Sequence, residues 1–323
     1  MEFFIAFAIA AIVTFLLVRP ISALAHKLDF EDKPTERKNH KVPVPLIGGV
    51  IMFLGFSAPY AVFILFADGF SQLPINYGGI LLGAALILSI GLFDDFFKTR
   101  KKEFPIWPRL LVQIGAASIV YAVGVRFWGI DLPWTSGDPI VFIPVIQYFL
   151  TVMWILGITT VMNWIDGLDG LAGGTAGITA CTLFVFAMFM GETSSAFMAA
   201  ALVGSIVAYL RFNFFPTKTK IFMGDSGANF LGYMLAVISL HGAFKQATVI
   251  AIIVPVLAMG LPIFDSISVM IRRIVNRAPV HKADHRHLHQ RLQKKGLSAK
   301  HTVVMLLLFC MCLNLTSIIL ILI

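Results

Sequence analysis

Ten long apolar runs separated by short polar breaks dominate the chain: 2–24, 46–66, 78–93, 110–128, 143–161, 171–190, 196–211, 228–243, 247–271 and 302–323. A bilayer-crossing helix needs roughly 20 mostly apolar residues, so each run predicts one membrane span. The polar breaks alternate in character. One set, at 25–45, 94–109, 162–170, 212–227 and 272–301, carries 21 of the 25 Lys and Arg residues. The other set is short and sparsely charged, as in Gly191-Glu192-Thr193-Ser194-Ser195. Positive loops stay on the cytoplasmic side, which predicts a cytoplasmic basic face and, with an even number of spans, two extracytoplasmic termini. The predicted fold class is an all-α polytopic membrane protein of about ten transmembrane helices. It forms a single integral membrane domain over residues 1–323.

Composition supports this pattern. The chain is 58% hydrophobic and 13% charged, with mean hydropathy +0.87, against about half apolar and about a quarter charged in soluble domains. The net charge of +8 belongs to the basic loops, and no basic patch interleaved with aromatics suggests nucleic acid. Cys181, Cys310 and Cys312 lie inside apolar runs and read as packed thiols, not as a disulfide framework or a thiolate metal site. The first run lacks a basic stretch ahead of it and reads as a retained span, not a cleaved leader.

Against this background, acidic and histidine-rich strings at the basic side stand out. Carboxylates beside a bilayer are costly unless paired, hydrated or metal-bound. Asp94-Asp95 closes the third run. Asn163, Asp166 and Asp169 in NWIDGLDG follow i, i+3, i+6 spacing, which a helical turn would place on one face. The run MGDSG, 223–227, sets Asp225 between glycines, where backbone N–H groups and a carboxylate are exposed together. HRHLH, 285–289, lies in the last basic loop, where imidazoles and guanidiniums suit phosphate. The bland alternatives are an interfacial helix end paired to Lys98 or Arg100, a capped helix junction, a tight turn and a solvated basic loop.

Together, and in this order along the chain, DKPxxRKxH…PLIGG at 32–49, Asp94-Asp95, NxxDGLDGLAGG at 163–174, FMGDSG at 222–227 and HLHQRL at 287–292 resemble the polyprenyl-phosphate N-acetylhexosamine-1-phosphate transferases of glycosyltransferase family 4. That superfamily includes bacterial enzymes that start enterobacterial common antigen, O-antigen and wall teichoic acid synthesis, and the translocase that makes lipid I. The final HxH loop and the RKxH and PLIGG strings look like the branch using UDP-N-acetylglucosamine. The resemblance implies ten or eleven helices and a cytoplasmic active site in a bacterial plasma (inner) membrane. It also implies magnesium-dependent transfer of N-acetylglucosamine 1-phosphate to undecaprenyl phosphate with release of UMP. Manganese is the alternative ion. The implied partners are UDP-N-acetylglucosamine, undecaprenyl phosphate and membrane lipid, with a homodimer as the candidate assembly and no nucleic acid.

On that reading Asp94 and Asp95 are catalytic, and Asp225 and Asn163 hold the metal. Asp166, Asp169, His287, His289, Arg291, Arg37, Lys38 and His40 bind substrate, and Phe93, Phe96, Phe97 and Phe104 are candidate linings of a lipid groove. The chain departs from the family pattern at Gln290, where a second His is common, at Thr160 in place of Asn, and at Ala228 in place of Ser. Three rivals compete with this reading. One is lipid I formation. Another is a CDP-alcohol phosphotransferase, disfavoured because Gly173-Gly174 replace its Ala-Arg. The third is a cation-coupled transporter, disfavoured because the acids sit at one edge and no internal repeat is visible.

Overall fold

A computed structural model of the protein describes residues 1–34, 42–66, 77–130, 140–215, 218–242, 249–276 and 287–322. The apolar runs fold into helices α1 (Glu2–Lys27), α2 (Gly48–Phe66), α3 (Tyr77–Thr99), α4 (Ile106–Ala122), α5 (Pro144–Ile165), α6 (Leu171–Phe189), α7 (Thr193–Asn213), α8 (Gly224–Gly242), α9 (Val249–Ala258), α10 (Gly260–Val275), a short α11 (Leu288–Lys294) and α12 (Ala299–Leu322). The protein is an all-α polytopic membrane protein. Seven of the described helices are long and apolar enough to cross a bilayer, or eight with α9 and α10 taken as one bent span.

Helix α8 explains why apolarity alone miscounts. It packs against α2, α3, α5, α6 and α7, and 16 of its 19 residues are buried. A helix surrounded by protein has no need of an oily surface, so polar and small residues are tolerated there. Such residues let backbones approach closely in membrane bundles. Gly232 of α8 lies so near α5 that a Cβ would stand 2.7 Å from Thr159 Cα. Tyr233 donates from its buried hydroxyl to the Ile80 carbonyl of α3 at 3.0 Å. Helices α1 and α12 lie at the periphery, with most of their surface outward.

The run 247–271, predicted as one span, is instead broken. Helices α9 and α10 meet at a 76° bend around Met259, between Pro255 inside α9 and Pro262 in the first turn of α10. Proline at the start of a helix is favourable because its missing N–H had no intrahelical partner. The break frees the Ala258 carbonyl, which accepts from Thr179 Oγ1 of α6 at 2.8 Å and from Asn314 Nδ2 of α12 at 3.0 Å. Irregular backbone at membrane depth persists where protein satisfies it in this way.

Two-residue antiparallel pairings interrupt the helical pattern: β1 (Glu31–Asp32) with β2 (Val44–Pro45), and β3 (Gly129–Ile130) with β4 (Ile140–Val141). The first matters for the site. Beyond β2 the Pro-Leu-Ile-Gly-Gly string runs alongside the Phe-Met-Gly-Asp string: Phe222 N–H donates to the Pro45 carbonyl (2.9 Å), Gly48 N–H to Phe222 (2.9 Å) and Gly49 N–H to Met223 (3.2 Å). Backbone pairing thereby stitches two distant motifs together at the start of α8.

Candidate active site

The end of α3, the α5–α6 turn and the start of α8 converge on one cavity of about 840 Å³. Asp95, Asp166, Asp169 and Asp225 line it together with Lys98 and Lys220. Two of the three acidic strings bring all their carboxylates to this wall. From the third, Asp94 is 3% exposed and lies behind it.

Asp95 has a role that its place in the sequence conceals. It is 1% exposed, and its two oxygens accept the backbone N–H groups of Asp225 (2.8 Å) and Ser226 (3.0 Å). The first N–H groups of a helix have no intrahelical partner, so Asp95 caps α8 from another helix, where its negative charge also suits the helix dipole. Gly224 makes this fit. Its φ is +71°, and a Cβ there would stand 2.5 Å from Asp95 Oδ2. The close approach and the left-handed backbone both demand glycine.

The cap leaves the Asp225 carboxylate free to face the cavity, where its Oδ2 meets Lys98 Nζ at 2.5 Å and Arg109 Nη1 at 3.9 Å. Asp94 Oδ2 shares these cations, with Arg109 at 2.9 Å and Lys98 at 3.7 Å. Lys98 and Arg109 thus balance two adjacent acids near the bilayer. Across the cavity Lys220 Nζ holds Asp169 Oδ2 at 2.5 Å and lies 5.1 Å from the Phe222 ring centre. Among the described residues, no three His, Cys, Asp or Glu side chains form a preassembled metal cage.

The Asn163-Asp166-Asp169 face expected from i, i+3, i+6 spacing does not form. Helix α5 ends at Ile165, Asp166 turns out of it with ψ +64°, and Gly170 enters α6 with φ +81°. Asp166 and Asp169 therefore project from a turn into the cavity. Asn163 stays on the helix, away from that wall, its Nδ2 buried without a hydrogen-bond partner. Nor does an aspartate cap α6. Gly170 occupies that position, and its N–H donates to Asn213 Oδ1 at 2.7 Å while Asn213 Nδ2 donates to the Ile221 carbonyl at 3.0 Å. Asn213 ties the two motif loops together.

Water reaches the Asp166 side chain, yet it stands deep among protein atoms. Desolvation first, and then the charges of Asp225, Asp95 and Asp169, push its carboxyl up to about 8. The folded protein then holds a proton that the unfolded chain has lost. Stability falls as pH rises from about 4 toward 8. In magnesium-free detergent, Asp166→Asn is therefore expected to raise the thermal unfolding midpoint, by more at pH 8.5 than at pH 6. Calorimetry at the two pH values checks the sign, and an equal or larger gain at pH 6 contradicts it.

The histidine string is placed differently from the acids. His287 and His289 are 8% and 3% exposed and neither lines the cavity, while Arg291 is exposed on α11 and also lies off its wall. Burial first, and then the neighbouring His287, push the His289 imidazole down to about 4, so it is neutral at physiological pH. Arg37, Lys38 and His40, expected to bind substrate, lie outside the described residues. Among the aromatics, Phe93 and Phe96 face outward while Phe97 and Phe104 pack edge to face.

Sequence reasoning missed Arg109, Lys220, Asn213 and Asp265 as site residues, and treated Lys98 only as a routine pairing partner. Two of them left a signal. Lys98 stands four residues after Asp94, within reach on one helix face. Asp265 is the single ionisable residue of the 247–271 run, and a lone charge at membrane depth marks a function by default. Arg109, Asn213 and Lys220 left none, because a lone polar or basic residue at a helix end or loop has many ordinary uses.

Residues 77–243 match the model of Glycosyl transferase family 4. The chain belongs to this family. A Bacillus subtilis (strain 168) protein named probable undecaprenyl-phosphate N-acetylglucosaminyl 1-phosphate transferase is 33% identical over 313 residues, covering 97% of this chain and 83% of its own length. A Mycobacterium tuberculosis (strain H37Rv) protein, decaprenyl-phosphate N-acetylglucosaminephosphotransferase, is 31% identical across 93% of this chain and 78% of its own. The Escherichia coli (strain K12) undecaprenyl-phosphate alpha-N-acetylglucosaminyl 1-phosphate transferase is 26% identical over 88% and 75%. The family suggested by the five motif strings is thus the one found. Its matched region runs from α3 through α8 and contains Asp95, Asp166, Asp169 and Asp225, whereas Asp32, which also lines the cavity, lies ahead of it.

Proposed function

We propose that this family 4 enzyme transfers N-acetylglucosamine 1-phosphate from UDP-N-acetylglucosamine to undecaprenyl phosphate at the cytoplasmic face of a bacterial plasma membrane, releasing UMP. The product is the first lipid-linked intermediate of a cell-envelope glycan. The observation that carries the reading is the meeting of Asp95, Asp166, Asp169 and Asp225 with Lys98 and Lys220 around one cavity at the basic ends of the helices. The names of the relatives supply the acceptor and sugar classes.

The donor set suits a hard divalent ion. Asp225 offers an oxygen into the cavity, and the ammonium of Lys98 already stands against it at 2.5 Å, marking a point attractive to positive charge. Magnesium takes one or two carboxylates and completes its shell with phosphate oxygens and water, so a complete protein cage is not required. Asp225 would hold the ion, with Asp166 as the neighbouring acid. When bound, magnesium neutralises charge on the pyrophosphate and on the departing UMP. Asn163 lies off the wall and is not retained as a ligand.

The acceptor phosphate, with a second pKa near 6, is mostly ionised at neutral pH and needs little help from a base. Its oxygen attacks the sugar-bearing phosphorus, and the bond to UMP breaks. Lys98 and Arg109 steer the anionic groups, and Asp94 holds both cations in place instead of acting as the base. Asp95 fixes the position of Asp225. Asp169 and Lys220, with the Phe222 ring beside them, offer polar and stacking contacts to the nucleotide. The acceptor tail extends into lipid past the outward-facing Phe93 and Phe96.

Purified protein incubated with labelled UDP-N-acetylglucosamine, undecaprenyl phosphate and magnesium is expected to yield labelled lipid and UMP. A panel including UDP-MurNAc-pentapeptide tests lipid I formation. Uptake of label into vesicles without any lipid product would replace the transferase with a carrier.

A further inference from the structure

Asp265 sits on α10 and is 7% exposed. Its carboxylate spans two partners: Oδ1 accepts Leu288 N–H at 2.7 Å and Oδ2 meets His287 Nδ1 at 2.9 Å. An ionised carboxylate only accepts, so the His287 proton on this side resides on Nδ1. The His287 ring neighbours Trp164 of α5, centroids 6.2 Å apart, and stacks with His289, parallel within 8° at 5.9 Å. The Nε2 edge of His289 rests against Gly167, so closely that a Cβ there would overlap it. Gly167 in turn forms part of the cavity wall, between Asp166 and Leu168. An unbroken line of contacts therefore runs from α10 to the acidic turn. Upstream, the bend that aims α10 is held by Thr179 and Asn314 at the Ala258 carbonyl.

We propose that Asp265 is a positioning residue: through the stacked His287 and His289 it braces the Asp166–Gly170 turn, and the two histidines are a buttress, not ligands of the substrate pyrophosphate. Both rings are buried off the cavity wall. A neutral His289 lacks the charge that a pyrophosphate ligand would bring. The carboxylate–imidazole pairing is the arrangement that locks ring orientation in other sites where a histidine must not move. The effect on turnover rests on the transferase reading, whereas the effect on the turn itself does not.

Asparagine and glutamine separate the two roles of His287. The amide nitrogen of Asn, attached at Cγ, takes the place of Nδ1 and can still donate to Asp265, whereas that of Gln takes the place of Nε2. Purified full-length Asp265→Asn, His287→Asn and His287→Gln proteins are compared by steady-state kinetics and by amide hydrogen exchange at residues 167–170. Loss of positioning lowers turnover with little change in ground-state binding. For Asp265→Asn and His287→Gln, kcat is expected to fall about 10²-fold with KM for UDP-N-acetylglucosamine within about threefold of the parent, while His287→Asn, which keeps the bond to Asp265 but loses the ring stacked on His289, falls less. Exchange at 167–170 should quicken in all three, least in His287→Asn. Activity retained by His287→Gln but lost by His287→Asn would make Nε2 a direct ligand and overturn the buttress, as would parental exchange in all three. A parent that makes no lipid product, with the exchange pattern intact, would sink the transferase reading and leave the buttress standing.

Discussion

Asp225→Asn is expected to lower magnesium-dependent turnover on the order of 10²–10³-fold, the usual cost of removing one preorganised electrostatic group from a transition-state site. The substitution keeps side-chain volume and leaves the backbone N–H of residue 225 on Asp95, so α8 should start where it does now. What disappears is the negative charge that faces the cavity and Lys98. An amide oxygen holds a hard cation more weakly than a carboxylate, so the magnesium concentration for half-maximal activity should also rise. Lipid-product formation measured across a magnesium titration tests both. Parental turnover at low magnesium in this variant would remove Asp225 from the metal site.

Asp95→Ala is expected to strike stability and activity together. It strips two backbone N–H groups at a buried helix start of their acceptors. Each unmet buried donor costs about 1–3 kcal/mol, so destabilisation on the order of 2–5 kcal/mol follows, lessened somewhat because a desolvated carboxylate is also removed. Asp95→Asn retains one acceptor and should lie between Ala and the parent. Thermal and denaturant unfolding in detergent rank the three proteins. If Asp95→Ala unfolds like the parent yet is inactive, Asp95 acts on substrate directly and the capping role fails. Gly224→Ala should resemble Asp95→Ala, since its methyl would collide with the same carboxylate.

The two aspartates of Asp94-Asp95 illustrate what a sequence conceals. Adjacent residues on a helix point about 100° apart, so one spacing rule cannot give both the same role. Here Asp95 turns into α8, while Asp94 turns to Arg109 and Lys98. The pair was legible as unusual, because ionised groups beside a bilayer need a reason. Arg109, the closest cation to Asp94, stands 15 positions away, and Ser226, which Asp95 caps, stands 131. The NWIDGLDG string shows a related limit. Its spacing fits a helix, but Asp166 and the glycines end α5, and the turn moves Asp166 and Asp169 to the cavity while Asn163 stays behind. Neither the bend at Met259 nor the support of Ala258 by Thr179 and Asn314 is visible in an apolar run that is long enough to span.

By itself the sequence determined the membrane class, the approximate positions of the helices, the family and the acidic strings that line the cavity. These follow from local properties: apolar length against bilayer thickness, and residue types whose burial is expensive. Only the tertiary structure decided that Asp95 caps α8, that Lys98 and Arg109 share Asp94 and Asp225, and that Asp265 reaches His287. It also decided that the histidines stand behind the acidic turn and not in the cavity. The reason is that hydrogen bonds and charge pairs form between side chains a few ångströms apart, and in a bundle that proximity is set by how helices far apart in the chain pack together.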